Sequence, residues 1–141
     1  TRLVLLLSFC AAVAACTATP RPTAIHPDPD PDRFGRLITL WDARDGAAVV
    51  EVGSSLSEAF AAEPNGFFVA MAAHPSSFDS WLAALPQSTF TAYTPERIPA
   101  ITALLPAMRS AAEALRNHPR YGGMATRLAD QLSSITIREI D

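Results

Sequence analysis

The sequence predicts a mainly α-helical domain: an irregular or α-solenoid-like array of short helices over 32–141, behind a leader and a proline-rich tether. Three observations lead there. Apolar residues recur at i, i+3, i+4 and i+7 in several stretches, the spacing of one helix face. Pro64, Pro75 and Pro86 fall at eleven-residue intervals, each placed to close one short helix and open the next. The stretches between them are rich in alanine, a strong helix former. An α+β arrangement with a small sheet is the alternative.

The chain opens Thr1-Arg-Leu-Val-Leu-Leu-Leu-Ser-Phe-Cys10, followed by Ala11–Ala15 and Cys16. One positive residue, Arg2, precedes a short apolar run, and small residues lead to a cysteine. That is the layout of an export signal. As a helix, the apolar run would span about 20 Å against roughly 30 Å of hydrocarbon, too short for a comfortable permanent span. A first residue as small as Thr1 also suits removal of an initiator methionine.

Val13-Ala14-Ala15-Cys16 resembles the lipobox of bacterial lipoproteins. It departs from the commoner pattern in having valine at its first position, and only one basic residue precedes the run. The resemblance covers the leader alone. It implies that Cys16 is diacylglycerylated, that 1–15 is removed as signal peptide, and that acyl chains on Cys16 hold the protein to a membrane. In lipoproteins of diderm bacteria, aspartate after the cysteine retains the protein in the inner membrane. Thr17 therefore implies the outer membrane, facing the periplasm. Two readings compete: cleavage after Ala12-Val13-Ala14 by an ordinary signal peptidase, and a short uncleaved anchor.

Segment 16–31 continues as Thr17-Ala-Thr-Pro-Arg-Pro-Thr-Ala-Ile-His-Pro-Asp-Pro-Asp-Pro31. Alternating proline and aspartate suit neither a helix interior nor a central strand, and bury little. At ~3 Å per residue, such a segment can reach about 45 Å. His26 lies in it without neighbours that would make a metal site.

The predicted domain starts with Asp30-Pro31-Asp32: a capping aspartate, proline at the first helical position, and acid in the first turn. Phe34, Leu37, Ile38 and Trp41 form one apolar stripe, Arg44 sits in the last turn, and Gly46 stops the helix. A second helix is expected over about 47–62, carrying Val49, Val52, Leu56 and Phe60. Gly53 is expected to weaken, bend or split it, with Ser55-Leu56-Ser57-Glu58 as a fresh capping box. A weak repeat follows, in which Leu56 and Phe60, Phe67 and Met71, and Phe78 and Leu82 hold equivalent positions. Asn65 and Ser76 are placed as caps, and Ser76-x-x-Asp79 resembles a capping box. Phe78, Trp81, Leu82 and Leu85 form the clearest stripe. The strand alternative takes Leu37–Trp41, Ala48–Val52 and Phe67–Ala73; the last is a continuous apolar run that periodicity alone cannot assign.

Thr94-Pro95-Glu96 opens a long helix through Ile101, Leu104, Leu105, Met108, Ala112 and Leu115, which Pro106 is expected to kink or divide. Asn117-His118-Pro119 ends it. Gly122-Gly123 reads as a turn, after which Met124, Leu128 and Leu132 carry a last helix. Ile135–Ile140 alternates like a strand. The predicted core is Trp41, Phe60, Phe67, Met71, Phe78, Leu82, Leu104, Leu105 and Met108.

The 141 residues carry 11 basic and 14 acidic side chains, a net charge of −3. All the basic residues are arginine, which reads as genome composition and not chemistry. Beyond Ala15 ten arginines face fourteen acids, a balance that lends no support to nucleic-acid binding. Both cysteines, Cys10 and Cys16, lie at the leader, so no disulfide is expected in the domain.

Catalytic, cofactor and metal sites find no constellation in this sequence. His74 and His118 each precede a proline at a helix end, where histidines commonly meet solvent or the last carbonyls. Ser76 or Ser77 with His118 and Asp79 could be drawn as a triad, but no nucleophile elbow supports it, and capping explains the serine and aspartate. Carboxylate pairs for glycoside chemistry depend on spatial separation and stay open. Trp41 and Trp81 lie on apolar faces, which means core packing first and an interface anchor second.

Three functions follow from this reading. The first is a membrane-tethered module that binds another envelope or secreted protein, including an inhibitor or immunity-type protein; no partner is identified. The second is a structural subunit of an envelope assembly. An enzyme acting on cell wall or lipid is third, since such a site needs convergent polar groups.

Overall fold

The computed structural model of the protein describes residues 32–140. The leader, Cys16, the tether through Pro31, and the expected cap at Asp30 lie outside the described residues. Helix forms over 74% of what is described, in six α-helices and one 3-10 turn, with a two-stranded sheet. The mainly α reading is correct, and all three stretches that competed as strands are helical.

Helix α1 spans Arg33–Asp42 with Asp32 at its N-cap position. It buries Phe34, Ile38 and Trp41, while Leu37 packs half-buried beside them. Arg44 closes the helix: its guanidinium lies 3.7 Å over the Trp41 ring and donates to the Trp41 carbonyl. Gly46 then turns the chain with φ +40°, a left-handed value that glycine takes without strain.

Helix α2, Ala48–Ala62, runs unbroken through Gly53. The expected break there does not form, because tertiary packing uses the glycine for a different purpose. Gly53 faces Ser88 so closely that a Cβ would lie 2.5 Å from the Ser88 Cβ. Ser57, expected in a capping box, is buried and donates to the Gly53 carbonyl at 2.9 Å, as Ser55 does to that of Glu51 at 3.0 Å.

Helices α3, Pro64–Ala72, and α4, Pro75–Ser88, each begin with their proline. The cap positions are Glu63 and His74, not Asn65 and Ser76, which fall inside the first turn. Asp79 makes no capping box; it pairs with Arg127 at 2.8 Å. Pro86 starts nothing, and lies inside the last turn of α4. The equivalent positions of the repeat are all buried: Leu56, Phe60, Phe67, Met71, Phe78 and Leu82.

A 3-10 turn at Pro95–Arg97 leads into α5, Ile98–Ala114, which continues past Pro106 without dividing. Pro106 and Thr102 are both exposed, so the carbonyl that proline leaves without its helical donor faces water. Helix α6, Gly122–Ser134, takes the two glycines into its first turn instead of leaving them as a separate turn. Strand β1, Thr91–Ala92, pairs in parallel with β2, Arg138–Glu139. This pairing gives the alternating tail its partner, and α5 and α6 form the crossover that a parallel pair needs.

The array is irregular and not a solenoid. Helix α2 touches α1, α3, α4 and α5, whereas a solenoid unit meets only its neighbours. Around it, Phe34, Phe60, Phe67, Phe68, Phe78, Trp81 and Tyr121 interlock with ring centroids 4.8–6.3 Å apart. Such ring pairs contribute about 0.5–1.5 kcal/mol each beyond their buried area.

Candidate binding trough

Helix α2 is central because its inner face is small. Gly53, Ser54 and Ser57 let the end of α4 approach closely. Hydrogen bonds fill the remaining polar need: Ser54 donates to the Ser88 carbonyl at 2.9 Å, and Ser57 shares a bond with Thr89 at 2.8 Å. The other side of α2 carries Glu51, Ser55 and Glu58 at i, i+4 and i+7, one continuous stripe. That stripe borders an open trough.

One part of the trough, about 450 Å³, lies between the N-terminal half of α2 and the 3-10 turn, lined by Val50, Glu51, Ser54, Glu58, Glu96 and Arg97. A second part, about 340 Å³, continues along α5 past Ala100, Ile101, Ala103 and Leu104. Glu58 and Arg97 line both parts. Across Glu58 a third recess of about 280 Å³ opens toward Arg33, Arg36, Leu37 and Leu40 of α1.

The floor along α5 is apolar, and the rim carries the carboxylates of Glu51, Glu58 and Glu96 with the guanidinium of Arg97. Leu104, expected in the core, is only half-buried and lines the trough. The apolar stripe of α5 is wider than its contact with α6 and α2, so Leu104 falls at its edge. Arg97 is half-buried, and its guanidinium donates to the Ser54 hydroxyl at 3.0 Å. The Glu96 carboxyl is held below the ordinary glutamate range by its own backbone N–H and then by the Thr94 hydroxyl. Three acids elsewhere are paired: Asp79 with Arg127, and Glu113 and Asp130 with Arg116, whose pKa they raise. Among the described residues, no ion pair engages Glu51 or Glu58.

The residues drawn as a triad do not meet. Ser77 donates to an Asp42 carboxylate oxygen at 2.7 Å, and Asp79 binds Arg127. His118 stacks on Tyr121 at 4.6 Å, and its Nδ1 accepts from the N–H groups of Arg120 and Tyr121. His74 is exposed beside a separate recess of about 440 Å³ with Gly35, Thr39 and Leu40. Trp41 and Trp81 are wholly buried, which removes both as interface anchors. Trp41 donates to Ser80 at 2.8 Å, whereas Trp81 Nε1 has no partner. It is enclosed by the rings of Phe67 and Phe78.

Among the described residues no group of three or more His, Cys, Asp or Glu side chains could hold a metal ion. No described helix is long and apolar enough to cross a membrane. Sequence reasoning missed the trough. Its only sequence signal is the pair Glu51 and Glu58, seven apart on one face of a helix that is otherwise apolar or small. No family model, curated protein or solved structure matches the chain.

Proposed function

We propose that this chain is a lipoprotein of the bacterial cell envelope, anchored through acyl chains on Cys16, whose helical domain binds another envelope or secreted protein. The trough beside α2 carries this reading. It is an open channel bounded by three helical elements, with apolar side chains half-exposed on its floor and carboxylates at its edge. Long shallow channels of this kind suit a protein segment better than a small molecule, which is usually enclosed over most of its surface.

The tether supplies reach. Read as extended chain at ~3 Å per residue, segment 17–31 would let the domain stand up to about 45 Å from the membrane surface. It raises the local concentration of domain near envelope partners without adding contacts. An inhibitor or immunity-type protein fits this arrangement, as does a subunit that docks on an envelope assembly.

Two measurements test the reading together. Cys16→Ser should abolish lipid labelling and membrane retention; a variant that stays in membranes with its leader intact refutes the lipid anchor. A photo-crosslinking residue at Leu104 should capture a protein in cells, while one at exposed Ala62, outside the trough, should not. If neither position captures protein and the purified chain turns over a cell-wall or lipid substrate, the binding reading falls to the enzyme. Shortening 17–31 should impair function in the cell and leave affinity in solution unchanged.

A further inference from the structure

We infer that the α2–α5 trough receives a basic amphipathic helix of the partner protein. The inference rests on the binding reading above and adds the chemistry of the occupant. It begins with the apolar floor, where Leu104, from the apolar stripe of α5, and its neighbours Val50 and Ala100 remain partly or fully exposed. An apolar face on an incoming helix would bury them.

Charge decides what surrounds that face. Glu51 and Glu58 stand on the α2 wall and Glu96 on the other, against Arg97, whose guanidinium is already engaged by Ser54. A helix docking here removes water from these carboxylates. That costs free energy unless cations take water's place, and like charges would be repelled. Elsewhere Asp32, Asp79, Glu113 and Asp130 pair with arginine. Among the described residues Asp45, Glu63 and Glu139 form no ion pair but lie outside the trough, whereas Glu51, Glu58 and Glu96 line the same recess and face the one guanidinium of Arg97.

Spacing then constrains the partner. Glu51 and Glu58 are seven residues apart on one helix, which is about 10.5 Å along its axis at 1.5 Å per residue. A partner helix lying roughly along α2 meets both with Lys or Arg at i and i+7. Its apolar residues at i+1, i+4, i+5 and i+8 then form the flanking stripe that faces the floor, the amphipathic arrangement of a helix held in a groove.

The test uses the full chain as the cell matures it, carried on phosphatidylcholine nanodiscs, with protein-free nanodiscs as blank. The probe is a fluorescein-labelled synthetic helix with leucine along one face and lysine at i and i+7, compared with the same peptide carrying glutamate at the lysine positions. The lysine peptide should bind saturably and weaken at least ten-fold in E51Q/E58Q. It should bind D45N/E139Q, which removes two exposed acids outside the trough, as it binds the unchanged protein. Circular dichroism should show both variants equally folded. Absence of saturable binding, equal binding of the glutamate peptide, or equal loss in the two variants overturns the inference. The Leu104 crosslink separates this failure from failure of the binding reading. An adduct on a basic amphipathic helix supports the inference. An adduct on a neutral or acidic segment refutes it and leaves the binding reading standing.

Discussion

Replacing Gly53 with alanine tests the packing at the centre of the domain. In an open helix the change would stabilise by ~1 kcal/mol, the difference in helix propensity between the two residues. Here the new Cβ would lie 2.5 Å from the Ser88 Cβ, 2.6 Å from its Oγ, and 3.3 Å from Cζ3 of Trp41. The Ser88 Cβ is fixed by its own backbone and cannot swing away, so α2 and α4 must separate. Overpacking of this kind costs about 1–3 kcal/mol. Separation also strains the Ser54–Ser88 and Ser57–Thr89 hydrogen bonds, each worth ~0.5–1.5 kcal/mol. The costs exceed the propensity gain, and we expect Gly53→Ala to lose about 1–3 kcal/mol net. Urea unfolding followed by circular dichroism measures it as a lowered midpoint at unchanged slope. Gly53→Ala combined with Ser88→Gly should recover most of the loss, since it removes the clashing atom, and the pair should be non-additive. Gly123→Ala, with nothing within 4 Å of the added carbon, should be neutral or stabilising. A Gly53→Ala protein as stable as the parent would refute the close approach of α2 to α4.

Leu82→Ala and Leu105→Ala, at 8% and 7% exposed, should each cost about 2–5 kcal/mol in the same assay through lost burial and the cavity left behind. Arg109 donates from Nε and Nη2 to the Leu132 carbonyl, at 3.0 and 2.8 Å, and from Nη2 to that of Ile135 at 3.2 Å. Arg109→Met should lose about 1.5–3 kcal/mol, with Arg109→Lys restoring only part, since a single ammonium cannot reproduce the fork. Glu96, with its carboxyl pKa depressed, favours folding above its unfolded pKa, and that contribution disappears as pH falls through the folded value. Carboxyl NMR should place its midpoint below an ordinary glutamate, and Thr94→Ala should move it upward.

The sequence by itself determined that the domain is helical, and where most helices run. The stripes through Phe34–Trp41, Phe78–Leu85 and Ile101–Ala112 are local periodicities, and burial follows them because one face of each helix must leave water. Eight of the nine core residues expected from the sequence are buried, Leu104 being the exception. Local pattern could not rank three prolines of the same kind. Pro64 and Pro75 follow residues with extended-side backbones, Glu63 at φ −145° and His74 at φ −132°, and so begin helices. Pro86 follows Leu85, which is wholly buried, and that packing holds the helix through the proline to Ser88. Gly53 posed the same problem: its propensity argues for a break, and only the nearness of Ser88 shows why the helix keeps it. The trough was out of reach for a similar reason. Whether Leu104 lies in the core or at its edge depends on how wide a face α2 covers, and whether Glu51 and Glu58 find arginines depends on which helices come near them. Both are set by distances between segments about forty-five residues apart, which no pattern along the chain encodes.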